Sequence, residues 1–83
     1  MQVHIKYFAS IREAMGQGAE SLDTDANTLG QLRDALVARG GPGAQVLARD
    51  RVLRMALDQH LAEESALLRP GCEVAFFPPV TGG

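Results

Sequence analysis

The chain has no tryptophan, one cysteine, one lysine and no long apolar run, and each shortage excludes something. With Cys72 alone, no internal disulfide can close and no cysteine cluster can hold zinc or iron. Nothing near it in sequence marks a reactive thiol, so Cys72 reads as structural, set just after a turn. Lys6 is the sole lysine, and the 8 basic residues are scattered among 10 acidic ones for a formal net charge of −2. That argues against nucleic acid and against a polybasic membrane patch as partners. No stretch approaches the roughly 20 apolar residues of a membrane span. Residues Met1 to Ser10 alternate polar with apolar instead of forming a signal-peptide core, so a cytoplasmic location is expected.

What is present fits one small domain. At 83 residues and 46% hydrophobic content, a single core is just sufficient, with little surplus to line a deep catalytic cleft. Val3, Ile5 and Tyr7 alternate with Gln2, His4 and Lys6, which predicts a half-buried first strand over 2–8. Phe8 then puts an aromatic ring on the polar face, to be covered by the next loop or to meet a partner. Ser10 is expected to cap a short helix from Ile11 to Met15 that Gly16 ends. A weak strand near Ala19 to Thr24 and a turn at Asp25-Ala26-Asn27 follow. Thr28-Leu29-Gly30-Gln31 reads as a capping box opening the main helix, with Leu29, Leu32, Leu36 and Val37 on its apolar stripe. Gly40-Gly41-Pro42-Gly43 stops that helix.

After one more helical turn between Gly43 and Arg49, a third strand is expected over Val52 to Gln59, then a turn and a brief edge strand. A type II turn is expected at Arg69-Pro70-Gly71-Cys72. The last strand, Glu73 to Phe77, turns Val74 and Phe76 one way and Ala75 and Phe77 the other, before Pro78-Pro79 ends pairing. Apolar first and last strands predict a central parallel pair. The fold class is α+β, a β-grasp (ubiquitin-like) roll with a mixed sheet of about five strands and one main helix across it. Residues 1–77 form the domain and 78–83 an extended tail.

Most catalytic constellations fail on spacing. Asp58 and His60 have no serine or cysteine at a defined distance to act as nucleophile. Glu63 and Glu64 are adjacent, so they diverge and cannot flank one bond; a solvated surface is expected for them. His4 and His60 are too few for a metal site, and no metal is expected. The tail remains. Its two prolines stiffen the backbone, and 78–83 can reach roughly 20 Å at about 3.3 Å per residue. Gly82 and Gly83 lack Cβ atoms, so a terminal carboxylate can pass a narrow channel and be attacked without crowding. A carboxylate is anionic and has no leaving group, so ATP and an adenylating partner would have to activate it.

The unbroken run Glu73-Val-Ala-Phe-Phe-Pro-Pro-Val-Thr-Gly-Gly83 resembles the C-terminal signature of the small, sulfur-carrying subunits of molybdopterin synthase. Tyr7-Phe-Ala-Ser-Ile-Arg-Glu13 is similar to that family's first strand and following helix, so the resemblance spans the chain. It implies adenylation of Gly83 by an E1-like enzyme, conversion to a thiocarboxylate (1-thioglycine) by a sulfur donor protein, and insertion of the tail into the large subunit. Two small and two large subunits would then place sulfur on a cyclic pyranopterin monophosphate precursor in molybdenum cofactor biosynthesis. The chain would be one subunit of a sulfurtransferase with no autonomous active site, binding no cofactor itself. By position, the resemblance assigns Gly83 and Gly82 to the reaction, and Phe8, Arg12, Leu61, Phe77, Pro78, Pro79, Val80 and Thr81 to partner contact. Asp58 stands where the family often has asparagine, and Cys72 where a polar residue is usual. The alternatives are a thiamine-type sulfur carrier, which Phe-Phe-Pro-Pro-Val-Thr argues against, a β-grasp interaction module with an inert tail, and a ubiquitin-like modifier joined to lysines.

Overall fold

The computed structural model describes residues 1–79; the expected positions Val80, Thr81, Gly82 and Gly83 lie outside the described residues. Eight elements follow one another: β1 (Gln2–Tyr7), α1 (Ala9–Met15), β2 (Ala19–Asp23), α2 (Leu29–Ala38), α3 (Gly43–Val46), β3 (Arg54–Leu57), β4 (His60–Ala62) and β5 (Glu73–Phe77). They build a mixed sheet in the order β2-β1-β5-β3-β4, with β1 and β5 parallel at its centre and the other pairs antiparallel. This is the β-grasp arrangement that the apolar first and last strands predict.

The alternation of β1 and β5 decides which face is covered. Val3, Ile5, Tyr7, Val74 and Phe76 are at most 1% exposed and meet Leu29, Leu32 and Leu36 from α2. Each such side chain, fully buried, contributes about 1.5–3 kcal/mol relative to exposure. Tyr7 and Phe76, partners in the β1–β5 register, stack with ring centroids 6.2 Å apart. Cys72 is buried in the same core, as its structural reading requires.

The turns follow the expected chemistry. Gly16 ends α1 at φ 74°, and Gly71 adopts φ 79° in a turn closed by the Cys72 amide donating to the Arg69 carbonyl at 3.0 Å. Pro70 and Gly71 thus occupy the positions a type II turn assigns them.

Four local expectations are corrected. The N-cap of α1 is Phe8 and not Ser10: Ala9 turns at φ 52°, and the Phe8 carbonyl accepts from both Ile11 and Arg12, so the helix starts earlier. The Thr28 hydroxyl accepts from the Gln31 amide at 3.1 Å as expected, but the Gln31 side chain accepts from Asn27 at 2.7 Å, one residue upstream of Thr28. Strand β3 spans four residues, not eight. Its first residue, Arg54, pairs with Phe77, the last residue of β5, and Pro78 offers no amide to continue. At its other end Asp58 and Gln59 take φ 50° and 70° in the hairpin to β4. Finally, Glu64 is not merely solvated, because its side chain pairs with Arg49 and lies against Gly30.

Candidate docking face and tail root

The helices cover one face of the sheet and leave the other open. Strand alternation turns Lys6, Ala75, Ala56 and Leu61 onto that open face, and the registers Lys6↔Ala75, Ala75↔Ala56 and Ala56↔Leu61 set them in one row across four strands. The next row begins with Phe8, whose extended backbone (φ −127°, ψ 154°) continues the alternation of β1, and runs through Phe77 to Arg54. The Phe8 amide donates to the Phe76 carbonyl at 3.1 Å, which ties this residue to the end of β5.

The two alanines make the middle of the face flat, while Phe8 (46% exposed) and Leu61 (66%) stand at its margins and Phe77 is half-buried between them. No loop covers Phe8, so of its two sequence-level readings partner contact is the one its exposure favours. The patch is bounded on one side by polar groups. His4 and Ser21 hydrogen-bond at 2.6 Å, Lys6 and Glu73 pair at 3.1 Å, and Asp58 pairs with Arg69 at 3.2 Å. An apolar centre with a polar margin is the anatomy of a protein-binding surface.

Of the residues that the resemblance assigns to partner contact, Phe8, Phe77 and Leu61 share this face, and Pro78 and Pro79 continue from it. Arg12 does not join them. It follows Phe8 by one helical turn, is exposed, and lays its guanidinium against Gly18, just before β2. Ala56 and Ala75 were not singled out as site residues, although the same alternation that turns Phe77 outward also turns Ala75.

Several groups hold this surface in place. Asp58 brackets the start of β5: its amide donates to the Glu73 carbonyl at 2.8 Å, and its carboxylate accepts from the Glu73 amide at 2.9 Å. That backbone hydrogen bond first, and Arg69 second, hold the Asp58 carboxyl below its ordinary range. The same contacts disqualify Asp58 and His60 as a catalytic pair, since the His60 ring bonds the Asp58 carbonyl and not its carboxylate.

At the other end of the sheet, buried Arg33 donates to the carbonyls of Leu47 (2.7 Å), Ala48 (2.6 Å) and Arg51 (2.9 Å), pinning the segment that leads into β3. Burial pushes its guanidinium pKa down. Sequence reading missed Arg33 because an arginine between Leu32 and Leu36 carries no signal that it turns inward. Under the sheet, the Tyr7 hydroxyl donates to Glu20 at 2.7 Å, and Arg39 grips Glu20 through two bonds of 2.8 and 3.0 Å. Burial, then the Glu20 contact, pushes the Tyr7 phenol well above its ordinary range, while Arg39 holds Glu20 down.

Among the described residues, no group of three or more His, Cys, Asp or Glu side chains could hold a metal ion, and no helix is long and apolar enough to cross a membrane.

An open sheet face beside the end of the last strand, on a β-grasp frame, defines a class of proteins. Residues 5–83 match the model of the ThiS family, and the chain belongs to that family. Within it, the chain is 36% identical to the molybdopterin synthase sulfur carrier subunit of Haemophilus influenzae and 38% identical to that of Escherichia coli, each over 98% of this chain and 99% of the relative. Among solved structures, SAMP1 from Haloferax volcanii superimposes with a TM-score of 0.78 at 27% identity, covering 100% of both chains. A protein–protein complex of subunits 1 and 2 of the molybdopterin-converting factor from Helicobacter pylori contains a chain that matches with a TM-score of 0.70 at 27% identity, again over 100% of both.

Proposed function

We propose that this chain is the sulfur carrier subunit of a molybdopterin synthase, with residues 1–77 as handle and 78–83 as arm. The observation that carries this reading is the meeting of Phe8, Phe77 and Leu61 on one uncovered face at the root of the tail, in a chain whose curated relatives are named as such carriers. In this account the face docks on the large subunit, and the arm enters that subunit's active site.

The chemistry requires activation first. The Gly83 carboxylate attacks the α-phosphorus of ATP on an E1-like enzyme and releases pyrophosphate. Sulfur at the sulfide level, delivered by a sulfur donor protein, then attacks the acyl carbon, the C–O bond to AMP breaks, and a thiocarboxylate, the 1-thioglycine form of Gly83, remains. Gly82 supplies room beside the reacting carbon, since it has no Cβ to obstruct the partner's channel. Pro78, Pro79, Val80 and Thr81 line the way in, and Arg12, set apart from the apolar patch, serves the contact with the adenylating enzyme. Inside the large subunit the thiocarboxylate gives its sulfur to the cyclic pyranopterin monophosphate, and two carriers on two large subunits deliver the pair a dithiolene needs. This chain contributes the sulfur and its positioning, the partner the catalytic residues, and the cytoplasm is the setting.

Both curated relatives bear the molybdopterin synthase name, which favours this destination over a thiamine-type pathway. The test is to mix the thiocarboxylate form with the large subunit and the pterin precursor. Dithiolene product is expected, and product formed equally well with Gly83-deleted protein would contradict the mechanism.

A further inference from the structure

The open face carries one charged pair that its apolar reading does not use. Lys6 lies in the same row as Ala75, Ala56 and Leu61, and its Nζ sits 3.1 Å from Glu73 Oε1 on the neighbouring central strand. The lysine side chain is 47% exposed and that of Glu73 27%, so the ammonium is the more accessible end of the pair. An ammonium has three N–H donors. Glu73 balances its charge at ion-pair distance, and among the described residues no other carboxylate pairs with Lys6. Both residues stand on fixed backbone, since β1 and β5 are the central pair and the start of β5 is clasped by Asp58.

Docking takes this face out of water. A wholly apolar partner surface laid over Lys6 would strand N–H donors that water now satisfies, and polar groups left without partners in an interface oppose binding. A partner with an acceptor oxygen opposite Lys6 escapes that penalty. Resting on the docking reading above, we propose that Lys6 is a specificity-determining residue: it recognises an acceptor oxygen, carboxylate or carbonyl, on the large subunit and rejects partners that are apolar at that point.

The test measures affinity for the large subunit of the same organism with Lys6→Met, Lys6→Arg, Glu73→Gln and the double variant Lys6→Met/Glu73→Gln, each first confirmed to be folded by its thermal melt. Lys6→Met alone would not decide the matter, because it leaves Glu73 unpaired in the interface. The double variant removes that complication. If Lys6 bonds the partner, the double variant binds about tenfold or more weakly than wild type, and Lys6→Arg, which keeps the donors, retains most of the affinity. If the pair serves only this chain, the double variant binds as tightly as wild type or more so, and the proposal is overturned. A wild-type protein that binds no large subunit overturns the docking reading itself, and this inference with it; that outcome is distinct from binding that is indifferent to Lys6.

Discussion

Arg54 stands directly opposite Phe77 across the β3–β5 pair, the last rung of the sheet before Pro78 takes the chain away from it. The strand that leads into Pro78 and Pro79 is thus fixed between β3 on one side and β1 on the other.

Truncation of the apolar margin is expected to weaken docking and spare the fold. Phe77→Ala and Leu61→Ala should each reduce affinity for the large subunit by about 1–3 kcal/mol, the range of a well-placed interface anchor. Leu61 is 66% exposed, so its removal should leave the melting temperature nearly unchanged. Calorimetric titration beside a thermal melt separates the two effects. A large loss of stability with unchanged affinity would place Leu61 in the fold instead.

Asp58 anchors β5 through an acceptor oxygen, and that predicts which substitutions it tolerates. Asp58→Asn keeps an oxygen for the Glu73 amide, 2.9 Å away, whereas Asp58→Ala leaves the amide without that partner. Urea denaturation should show Asp58→Ala less stable than wild type and Asp58→Asn less affected. Equal losses would show that charge, and not the hydrogen bond, is what matters there.

The buried phenol of Tyr7 makes stability sensitive to high pH. Its pKa is raised in the fold, so the folded state holds the proton where the unfolded chain releases it. That contribution is fully present below the ordinary tyrosine value of about 10 and is lost as pH rises above it. Glu20 acts in the opposite range. Its pKa is lowered by Arg39, so its contribution is present above about pH 4.3 and is lost as pH falls further. Melting temperatures followed from neutral to strongly alkaline pH should fall in wild type and fall less in Tyr7→Phe. Identical alkaline profiles would remove Tyr7 from the explanation.

The central sheet and the main helix were legible because their signals are periodic. Val3, Ile5 and Tyr7 report one face of β1, and Leu29, Leu32 and Leu36 report the stripe of α2 that covers it. The site was legible in part for the same reason, since alternation alone sends Phe8 to the open face. What escaped depends on contacts between distant segments. The start of α1 is set by the Phe8 amide bonding Phe76, and the start of β3 by the absence of an amide on Pro78, neither of which shows in the sequence local to that element. Arg33 and the Lys6–Glu73 pair were missed likewise, because their partners lie 14 or more residues away for Arg33 and on another strand for Lys6. The resemblance to molybdopterin synthase carriers supplied Leu61, which the brief strand β4 would not have marked on its own.

The central claim is that Gly83 carries the sulfur, and the intact mass of the protein tests it most directly. Incubated with ATP, the E1-like enzyme and a sulfur donor, the full chain should gain the mass of one oxygen replaced by sulfur, with the change confined to the C-terminal peptide. A protein that keeps its original mass under those complete conditions would contradict the account.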